Sequence, residues 1–410
     1  MHARPDWRTI DSFVGNTTDP AAVAHRACPV CGERAAVPLL AFEDFQFFTD
    51  DATRAKRVTI RNVRCTRCQA VYLDPVYTPR GFASLFAEAG RSYGATPGRA
   101  LEQRQWLQEH QLLAPGSRLL DVGCYDGAFL AQLPADIRRV GVDIDAPAVA
   151  RGRARFADGS VEFVCGDLDA FVLVGSVDTM VMFHVLEHLP DPVRTLRHLR
   201  TMAHHATRLV IEIPVVEHGF TNDINGFLSA QHLTHFSRRS LRNVLAQAGW
   251  YLESEMQQPS YNGYRVIATP TDRSPHFIPE PEDEQLFARY LAHWHGVVRD
   301  VSQRIVQAPL GSEVVVWGGG LHTEFLYHTT PLFDETSRRF LIVDSDPLKQ
   351  GRSWRGISIV PPAVPSTIDW HGRTLLVSSY GGQQAIVAEA MALGVPEACI
   401  ATLYDHFRLY

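Results

Sequence analysis

The chain has 410 residues, of which 45% are hydrophobic and 20% charged, and its formal net charge is −6 at pH 7. This length exceeds one ordinary domain and predicts two or three. The negative charge provides no large basic field for a phosphate backbone, which disfavours nucleic acid as a substrate. The sequence contains neither an apolar run of about 18 residues nor an apolar signal core near Met1, which predicts a cytoplasmic protein with no membrane contact.

Four of the seven cysteines form two Cys-x-x-Cys pairs, Cys28 with Cys31 and Cys65 with Cys68. Each pair can give two thiolates to one tetrahedral metal ion, and in a cytosolic chain this spacing favours structural zinc (Zn²⁺) over a disulfide. Two turns without metal, or a redox dithiol, are the alternatives. A closed four-sulfur site has no open coordination position, so the predicted zinc folds an N-terminal module, residues 1–80, and does not catalyse a reaction.

The stretch between the two cysteine pairs, residues 39–51, is acidic and aromatic. A metal module of this size could also hold RNA, but acidic side chains repel phosphates. The composition therefore favours packing against a neighbouring domain or a small-molecule cleft.

Residues 119–130 begin with an apolar run, continue through Gly123 and Gly127, and then resume apolar spacing. This pattern predicts a strand, a tight loop and the start of a helix. Glycines allow a backbone to approach a ligand closely, and a helix N-terminus offers free N–H groups to negative charge. The pattern therefore favours a nucleotide-like cofactor.

Three further predicted strands end in polar residues. Residues 139–143 end at Asp143, about 20 residues after the glycine loop, where a carboxylate can accept both hydroxyls of a ribose. Residues 161–165 lead to Asp167, and residues 177–183 lead to His184, Glu187 and His188. Together with the loop, four strand ends carry polar groups in chain order.

The motifs Asp-Val-Gly-Cys-x-x-Gly, Gly-Val-Asp, Cys-Gly-Asp and His-Val-Leu-Glu-His-Leu-x-Asp resemble, in order and spacing, those of the class I S-adenosylmethionine-dependent methyltransferases. The resemblance implies an α/β domain, residues 81–270, that binds S-adenosyl-L-methionine. Asp143 would hold the ribose and Asp167 the adenine amino group. The cofactor-binding residues implied in this way are Asp121, Gly123, Cys124, Tyr125, Gly127, Asp143, Ile144, Asp167, Leu168, Phe183, His184 and His188.

Two details refine this picture. The loop lacks the third glycine of a dinucleotide fingerprint at its usual spacing, which argues against NAD. His184, Glu187 and His188 follow the fourth strand near the expected sulfonium, and we favour a role in fixing that loop over direct contact with the substrate.

The last third of the chain repeats a strand, glycine turn and helix. Residues 283–308 have helical spacing, with an apolar stripe that predicts a helix bridging two domains; its members are Leu286, Tyr290, Leu291 and Val297. The turn Gly318–Gly320 follows an apolar run, and a later strand ends in acid at Asp344. This pattern predicts a C-terminal Rossmann-like α/β domain, residues 271–410, that either binds a nucleotide or retains only the fold.

The whole arrangement resembles the three-domain sugar C-methyltransferases, which methylate a nucleotide-linked keto-deoxysugar at the carbon beside its ketone. The features that carry this resemblance are the cysteine pairs, the methyltransferase core, Tyr261–Val266, the glycine turn and Asp344–Gly351. It implies a small-molecule substrate, a nucleotide-linked sugar, bound between the core and the third domain. We expect a monomer or a homodimer.

Methylation of a carbon beside a ketone requires a base and groups that stabilise an enolate oxygen. In the sugar family the stretch that corresponds to residues 229–236 reads Tyr-His-Glu-His-Leu-Ser-Tyr-Phe, and its second histidine is the base. His232 aligns with that histidine. Further catalytic candidates are Tyr93, which resembles the family's lid tyrosine, and Gln231, His235, Tyr261 and Asn262. For His235 we favour packing or substrate contact, and plain loop or turn roles are the alternatives for Tyr93, Tyr261 and Asn262.

This segment departs from the family at three positions: Ser229 and His235 replace tyrosines, and Gln231 replaces the glutamate. Loss of that carboxylate would leave the histidine less basic. Alternatively, the segment only starts a helix, with Ser237 as its cap and residues 238–247 as its body. Methylation of oxygen or nitrogen in a natural product, and non-catalytic binding of the cofactor, are the other functions left open.

Overall fold

The structure is a computed structural model that describes residues 22–47, 56–81, 98–226, 228–257, 263–272, 282–335, 337–347 and 349–407. In this part of the chain, no helix has both the length and the hydropathy needed to cross a bilayer.

The N-terminal module consists of one larger antiparallel sheet and a separate antiparallel pair of short strands. Its strands are β1 (Val23–Ala24), β2 (Ala36–Phe47), β3 (Lys56–Cys65), β4 (Val71–Leu73) and β5 (Val76–Tyr77). β2 and β3 form a long hairpin, β4 pairs with β3, and β1 pairs with β5. The hairpin directs Phe42 and Phe45 away from the cysteines and into a separate core.

The middle of the chain forms a seven-stranded sheet. The strands are β6 (Arg118–Val122), β7 (Arg138–Asp143), β8 (Val161–Cys165), β9 (Val177–Phe183), β10 (Ala203–Ile213), β12 (Trp250–Gln257) and β13 (Tyr264–Pro270), with the short strand β11 (Thr234–His235) outside it. The order is β12-β13-β10-β9-β6-β7-β8, and β13 is antiparallel to both of its neighbours. The strand order reverses at β6 and β9, where the carboxyl ends of parallel strands leave a crevice for a ligand.

Two layers of helices cover this sheet. The helices are α1 (Arg99–Glu109), α2 (Ala146–Arg155), α3 (Pro192–Arg200) and α4 (Arg238–Gln247). Alternate residues of β6 point to opposite faces: Leu119 packs in the core that contains α1 and α2, and Leu120 packs in the core that contains α3 and α4. The predicted cap of α4 is confirmed, since the Ser237 hydroxyl accepts the backbone N–H of Ser240 at 3.1 Å.

The helix expected directly after the glycine loop is only a single 3₁₀ turn, Leu130–Gln132. Gly123, Tyr125 and Gly127 all have positive φ angles, so the segment between them cannot be helical. Pro134 follows soon afterwards and limits the turn that remains. The prediction of an α-helix at this position is therefore wrong, while the strand and the loop are confirmed.

The C-terminal part has a second sheet. Its elements are β14 (Glu313–Trp317), α6 (Leu321–Thr329), β15 (Arg339–Val343), β16 (Ser353–Trp354), β17 (Ile357–Val360), β18 (Arg373–Val377), α7 (Gln383–Ala392) and β19 (Ile400–Ala401). The order is β16-β17-β15-β14-β18-β19, and only β16 runs antiparallel to its neighbour. The predicted strand, glycine turn and helix are confirmed here as β14, Gly318–Gly320 and α6.

A long helix, α5 (Glu282–Gln307), precedes this sheet and confirms the predicted helix, while its role as a bridge between two domains stays a prediction. Its buried stripe consists of Phe287, Tyr290, Trp294, Val297, Val301 and Ile305. Leu286 and Leu291, which we predicted on this stripe, are only partly buried. The N-terminal half of the helix packs on Val216 and Leu228, and its C-terminal half packs on the second sheet.

The N-terminal sheet takes its fourth member from the middle of the chain. β11 pairs antiparallel with β4, so Thr234 faces Tyr72 and His235 faces Val71. The sheet therefore crosses the predicted boundary between residues 1–80 and residues 81–270. The boundaries at residues 80 and 270 stay predictions.

Candidate active site

The loop after β6 lies over the end of β7. The backbone N–H groups of Gly123 and Cys124 both donate to the carbonyl oxygen of Val142, at 2.8 and 3.1 Å. Gly123 has a φ of +78°, and a methyl group at its Cα would lie 2.4 Å from Cγ2 of Val185. The loop after β9, which carries Val185, thus packs directly on the glycine loop, and only glycine fits there.

Asp143 and Asp121 place two carboxyl groups beside this loop. One oxygen of Asp143 accepts the N–H of Tyr125 and the other accepts the N–H of Asp145, both at 2.8 Å. Asp121 is 4% exposed, and burial together with the charge of Asp143 raises its pKa to about 8. Such carboxyl groups attract hydroxyl donors and positive charge, which a ribose and an amino group would supply.

The adenine side of the predicted site has an exposed apolar surface. Ile144, next to Asp143, is 62% exposed, so its apolar side chain is open to a ligand at this position. Asp167 is exposed as well, and one of its oxygens accepts the N–H of Asp169 at 2.9 Å. The side chain of Leu168 is buried in the core, so only its backbone could contact an adenine.

Two other predicted cofactor residues have side chains that point elsewhere. Cys124 is 5% exposed and packs under the loop, where a methyl group on Gly141 would approach its sulfur to 2.6 Å. The Tyr125 hydroxyl accepts a hydrogen bond from Arg151 of α2 at 2.9 Å. These two residues would contact a cofactor through their backbone.

A charged network that the sequence did not predict lies beneath His184. The Arg265 guanidinium donates to Glu212 at 2.6 Å and to Glu102 at 2.8 Å, and both Arg265 and Glu212 are fully buried. Burial alone would raise the pKa of Glu212, but His184 and Arg265 hold it at about 2. The sequence did contain a sign of this buried ion pair, because Glu212 is a single glutamate within the apolar run of β10.

His184 is itself held between two acids. Its Nδ1 lies 3.4 Å from Glu187 and its Nε2 lies 3.2 Å from Glu212. Burial lowers the pKa of His184, but the two carboxylates outweigh this effect and raise it to about 9. The preceding residue, Phe183, packs edge-on against Phe129 with ring centroids 5.1 Å apart. This supports the expectation that these residues fix the loop.

His188 and His232 bring the loop after β9 to the predicted catalytic segment. Nδ1 of His188 donates to the carbonyl oxygen of Gln231 at 2.7 Å, since a carbonyl can only accept. The ring centroids of His188 and His232 lie 5.1 Å apart. His232 and Gln231 are half-buried, so both reach the edge of the site.

His235 occupies a different environment. It is fully buried, and its Nε2 lies 2.6 Å from Oδ1 of Asn62 in the N-terminal sheet. Burial, followed by the charges of His232 and Arg26, lowers the pKa of His235 well below its ordinary value. These contacts agree with the packing role that we favour for His235 from the sequence, and its catalytic role stays a prediction. Tyr93, Tyr261 and Asn262 lie outside the described residues.

The four cysteines of the N-terminal module converge on one point. Their sulfurs lie within 4.8 Å of one another, with 3.5 Å between Cys28 and Cys68 and between Cys31 and Cys65. Four thiolates at about 2.3 Å from a tetrahedral zinc would lie about 3.8 Å apart, so the donor set fits that metal. The backbone N–H groups of Arg67 and Cys68 point at the sulfur of Cys65.

The second glycine turn repeats the geometry of the first with one difference. Asp344 accepts the N–H of Gly319 at 2.7 Å and the N–H of Asp346 at 2.9 Å, as Asp143 does in the central sheet. In addition, the ammonium group of Lys349 lies 3.1 Å from the Asp344 carboxylate. A lysine thus already contacts the acid that would hold a ribose in this sheet.

Comparisons with known proteins cover the central part of the chain. Residues 98–255 match the family model of a methyltransferase domain. A probable S-adenosylmethionine-dependent methyltransferase of Mycobacterium tuberculosis is 30% identical over 161 residues, which are 36% of this chain and 56% of the relative. An uncharacterized 37.1 kDa protein in transposon TN4556 of Streptomyces fradiae is 30% identical over 149 residues, or 35% of this chain and 38% of the relative.

Among solved structures, an amino pentose methyltransferase from Micromonospora echinaspora matches 45% of this chain and 95% of its own, with 18% identity and a TM-score of 0.36. The magnesium protoporphyrin IX methyltransferase of Synechocystis matches 44% and 92%, with 19% identity and a TM-score of 0.36. Of the two curated relatives described above, the match covers only about half of the length or less. Residues 98–255, which carry the family match and most of the seven-stranded sheet, are a methyltransferase domain.

Proposed function

We propose that this protein methylates a carbon beside the ketone of a small polar acceptor, a nucleotide-linked keto-deoxysugar, with His232 as the general base. The observation that carries the proposal is the position of His232. Its ring lies 5.1 Å from His188, on the loop whose Val185 packs against Gly123. The base is therefore one loop away from the cofactor turn.

In the proposed reaction, an imidazole nitrogen of His232 takes the proton from the acceptor carbon, and the C–H electron pair becomes an enolate. S-adenosylmethionine supplies an electrophilic methyl group on a sulfonium. The enolate carbon forms the new C–C bond as the methyl–sulfur bond breaks and its electron pair stays on the thioether. The proton on His232 then passes to water, which restores the base.

The proposal also assigns binding residues to the metal ion and to the cofactor. Zinc would be held by Cys28, Cys31, Cys65 and Cys68 and would stabilise the N-terminal module. The cofactor would lie along Gly123 and Gly127, with its ribose on Asp143 and its adenine on Ile144 and Asp167. Support for these positions comes from the open apolar surface of Ile144 and the paired carboxyl groups described above.

Proton removal and methyl transfer can be tested separately. In D₂O with S-adenosylhomocysteine, a nucleotide-linked keto-deoxysugar should exchange the hydrogen beside its ketone, and His232→Asn should abolish that exchange. With methyl-labelled S-adenosylmethionine, the label should appear on the same carbon. Label on oxygen or nitrogen without exchange would replace the proposal by O- or N-methylation, and cofactor binding without transfer to any acceptor would leave a binding protein.

A further inference from the structure

Glu187 is a buried carboxylate that lies among histidines and has no role in the reaction as described so far. It is 1% exposed, and its Oε1 lies 3.4 Å from Nδ1 of His184 and 3.8 Å from Nε2 of His188. One of its oxygens and one ring nitrogen each of His188 and His232 lie within 4.8 Å of one another. A carboxylate without water is retained where positive charge compensates its lost hydration.

We propose that Glu187 is the positioning residue of the base: its negative charge favours a proton on His232 and fixes the place of that ring. This inference rests on the proposed function, in which His232 takes a proton from the acceptor. The sugar family has a glutamate in the sequence beside its base, and here that position is Gln231. Glu187 supplies the missing carboxylate from the loop after β9.

Backbone contacts on both sides of His232 hold this arrangement. The carbonyl oxygen of Gln231 accepts Nδ1–H of His188 at 2.7 Å, so that nitrogen carries the proton and Nε2 is the nitrogen on the side of Glu187. The backbone N–H of Leu233 donates to the carbonyl oxygen of Glu187 itself, also at 2.7 Å. The loop and the segment that carries the base are therefore joined immediately before and immediately after His232.

The charged groups around His232 have opposite effects on its protonation. His188 and the Arg26 guanidinium, which donates to the Leu233 carbonyl at 2.5 Å, disfavour a proton on His232 because like charges repel. His235 adds no charge, because burial lowers its pKa well below the ordinary value. Glu187 favours that proton. Burial by itself would raise the pKa of Glu187, but the positive charge of His184 beside it and those of the neighbouring histidines lower it, so the carboxylate is ionised when the base works.

A divalent cation is the main alternative for this cluster, since Glu187, His188 and His232 have metal-ligand chemistry and suitable spacing. The positive charge of His184 lies against the same carboxylate oxygen, at 3.4 Å. A second cation at that oxygen would be repelled. This contact favours the positioning role over a metal site.

The test measures the pKa of His232 by NMR in the full chain, with ¹³Cε1-labelled histidine and S-adenosylhomocysteine present. The signal is identified by its loss in His232→Asn. Glu187→Gln should lower that pKa by about 1–3 units, the usual effect of removing an opposite charge at this distance. Gln231→Glu alone should raise it, and the double variant should recover part of the loss. Glu162→Gln, an exposed acid of β8, is the control and should change nothing.

Equal pKa values in the wild type and Glu187→Gln would overturn the inference. Should Glu187→Gln fail to fold, Glu187→Asp takes its place: it retracts the charge by one methylene, so the pKa should fall by less, and an unchanged value overturns the inference equally. A second metal ion per chain that is absent from the Glu187 variants would also overturn it. The NMR titration of His232 needs no acceptor, so it can give the expected shift even when the ketosugar shows no deuterium exchange. The role of Glu187 and the proposed C-methylation can therefore fail independently of each other.

Discussion

The backbone N–H of Leu73 in the N-terminal sheet donates a 3.0 Å hydrogen bond to the carbonyl oxygen of Leu233, the residue after His232. The next two residues of the segment continue as β11, in register with β4. On the other side of His232, the Tyr77 hydroxyl donates to the Ala230 carbonyl at 3.2 Å. The segment that carries the proposed base is therefore held by the module that the four cysteines close.

Removal of the zinc should therefore loosen the distant segment that carries His232. Cys65→Ser should lose about one equivalent of zinc per chain and speed amide hydrogen exchange at Leu73 and Leu233, because the fourth ligand of a structural site supports its folding. Affinity for S-adenosylmethionine should stay within a few fold, since β6 to β9 do not belong to this sheet. Cys165→Ser, an exposed cysteine outside the cluster, is the control. Unchanged exchange in the zinc-free protein would contradict this prediction.

Asp143 should be essential for cofactor affinity, while its counterpart Asp344 should not be. Each carboxylate accepts two backbone N–H groups beside a glycine turn, but only Asp344 has a lysine against it. Asp143→Asn should weaken S-adenosylmethionine binding about 10–100-fold in calorimetry, the loss expected when a charged hydrogen-bond acceptor becomes neutral. Asp344→Asn should bind normally. Equal affinity in both variants would contradict the ribose position.

Local sequence patterns predicted the elements whose causes are local. Strand ends at Val122, Asp143, Cys165 and Phe183 follow from apolar runs that stop at polar residues, and the cap at Ser237 follows from its hydroxyl and spacing. The glycine loop was predicted for the same reason. The α-helix predicted after the loop is absent, because Tyr125 has a positive φ angle and its N–H donates to Asp143, a contact that the sequence alone does not reveal.

The partners of the candidate site could not be predicted, because they come from distant parts of the chain. Arg265 meets Glu212 and Glu102 only once β13 has inserted beside β10. Asn62 reaches His235 only through the pairing of β11 with β4. The pattern predicted which strands would form but contained nothing about these cross-chain contacts.

Gly123 and Gly159 offer a matched pair for testing the contact between the two loops. Both have φ angles near +75°, at +78° and +74°, but a methyl group at Gly159 would touch nothing within 4 Å. Both alanine variants therefore lose about 1–2 kcal/mol of stability to backbone strain. Gly123→Ala should in addition displace the stiff Val185 side chain and weaken S-adenosylmethionine binding at least about tenfold.

Adding Val185→Ala to Gly123→Ala should restore most of that affinity, because it removes the two Val185 methyl carbons that lie nearest to the new methyl group. Calorimetric titration of the three variants measures this directly. Equal affinities for Gly123→Ala and Gly159→Ala would show that the loops do not depend on each other.

Protonation of His184 should stabilise the folded protein in a defined pH window. Its pKa rises from an ordinary 6.5 to about 9 in the folded state, because Glu187 and Glu212 together outweigh the effect of burial. A histidine whose folded pKa is raised stabilises the fold fully below pH 6.5 and loses this contribution as the pH rises through 9. The shift corresponds to about 3 kcal/mol at most.

His184→Gln should therefore reduce the free energy of unfolding by up to about 3 kcal/mol at pH 6 and by much less at pH 9.5. Urea titrations followed by circular dichroism at constant ionic strength measure both values. Asp121 and Asp223 also titrate in this range, with pKa values of about 8 and 7, but they are present in both proteins and cancel in the difference. A difference that is the same at both pH values would mean that His184 stabilises the loop by packing alone, without the charge that its two acids favour.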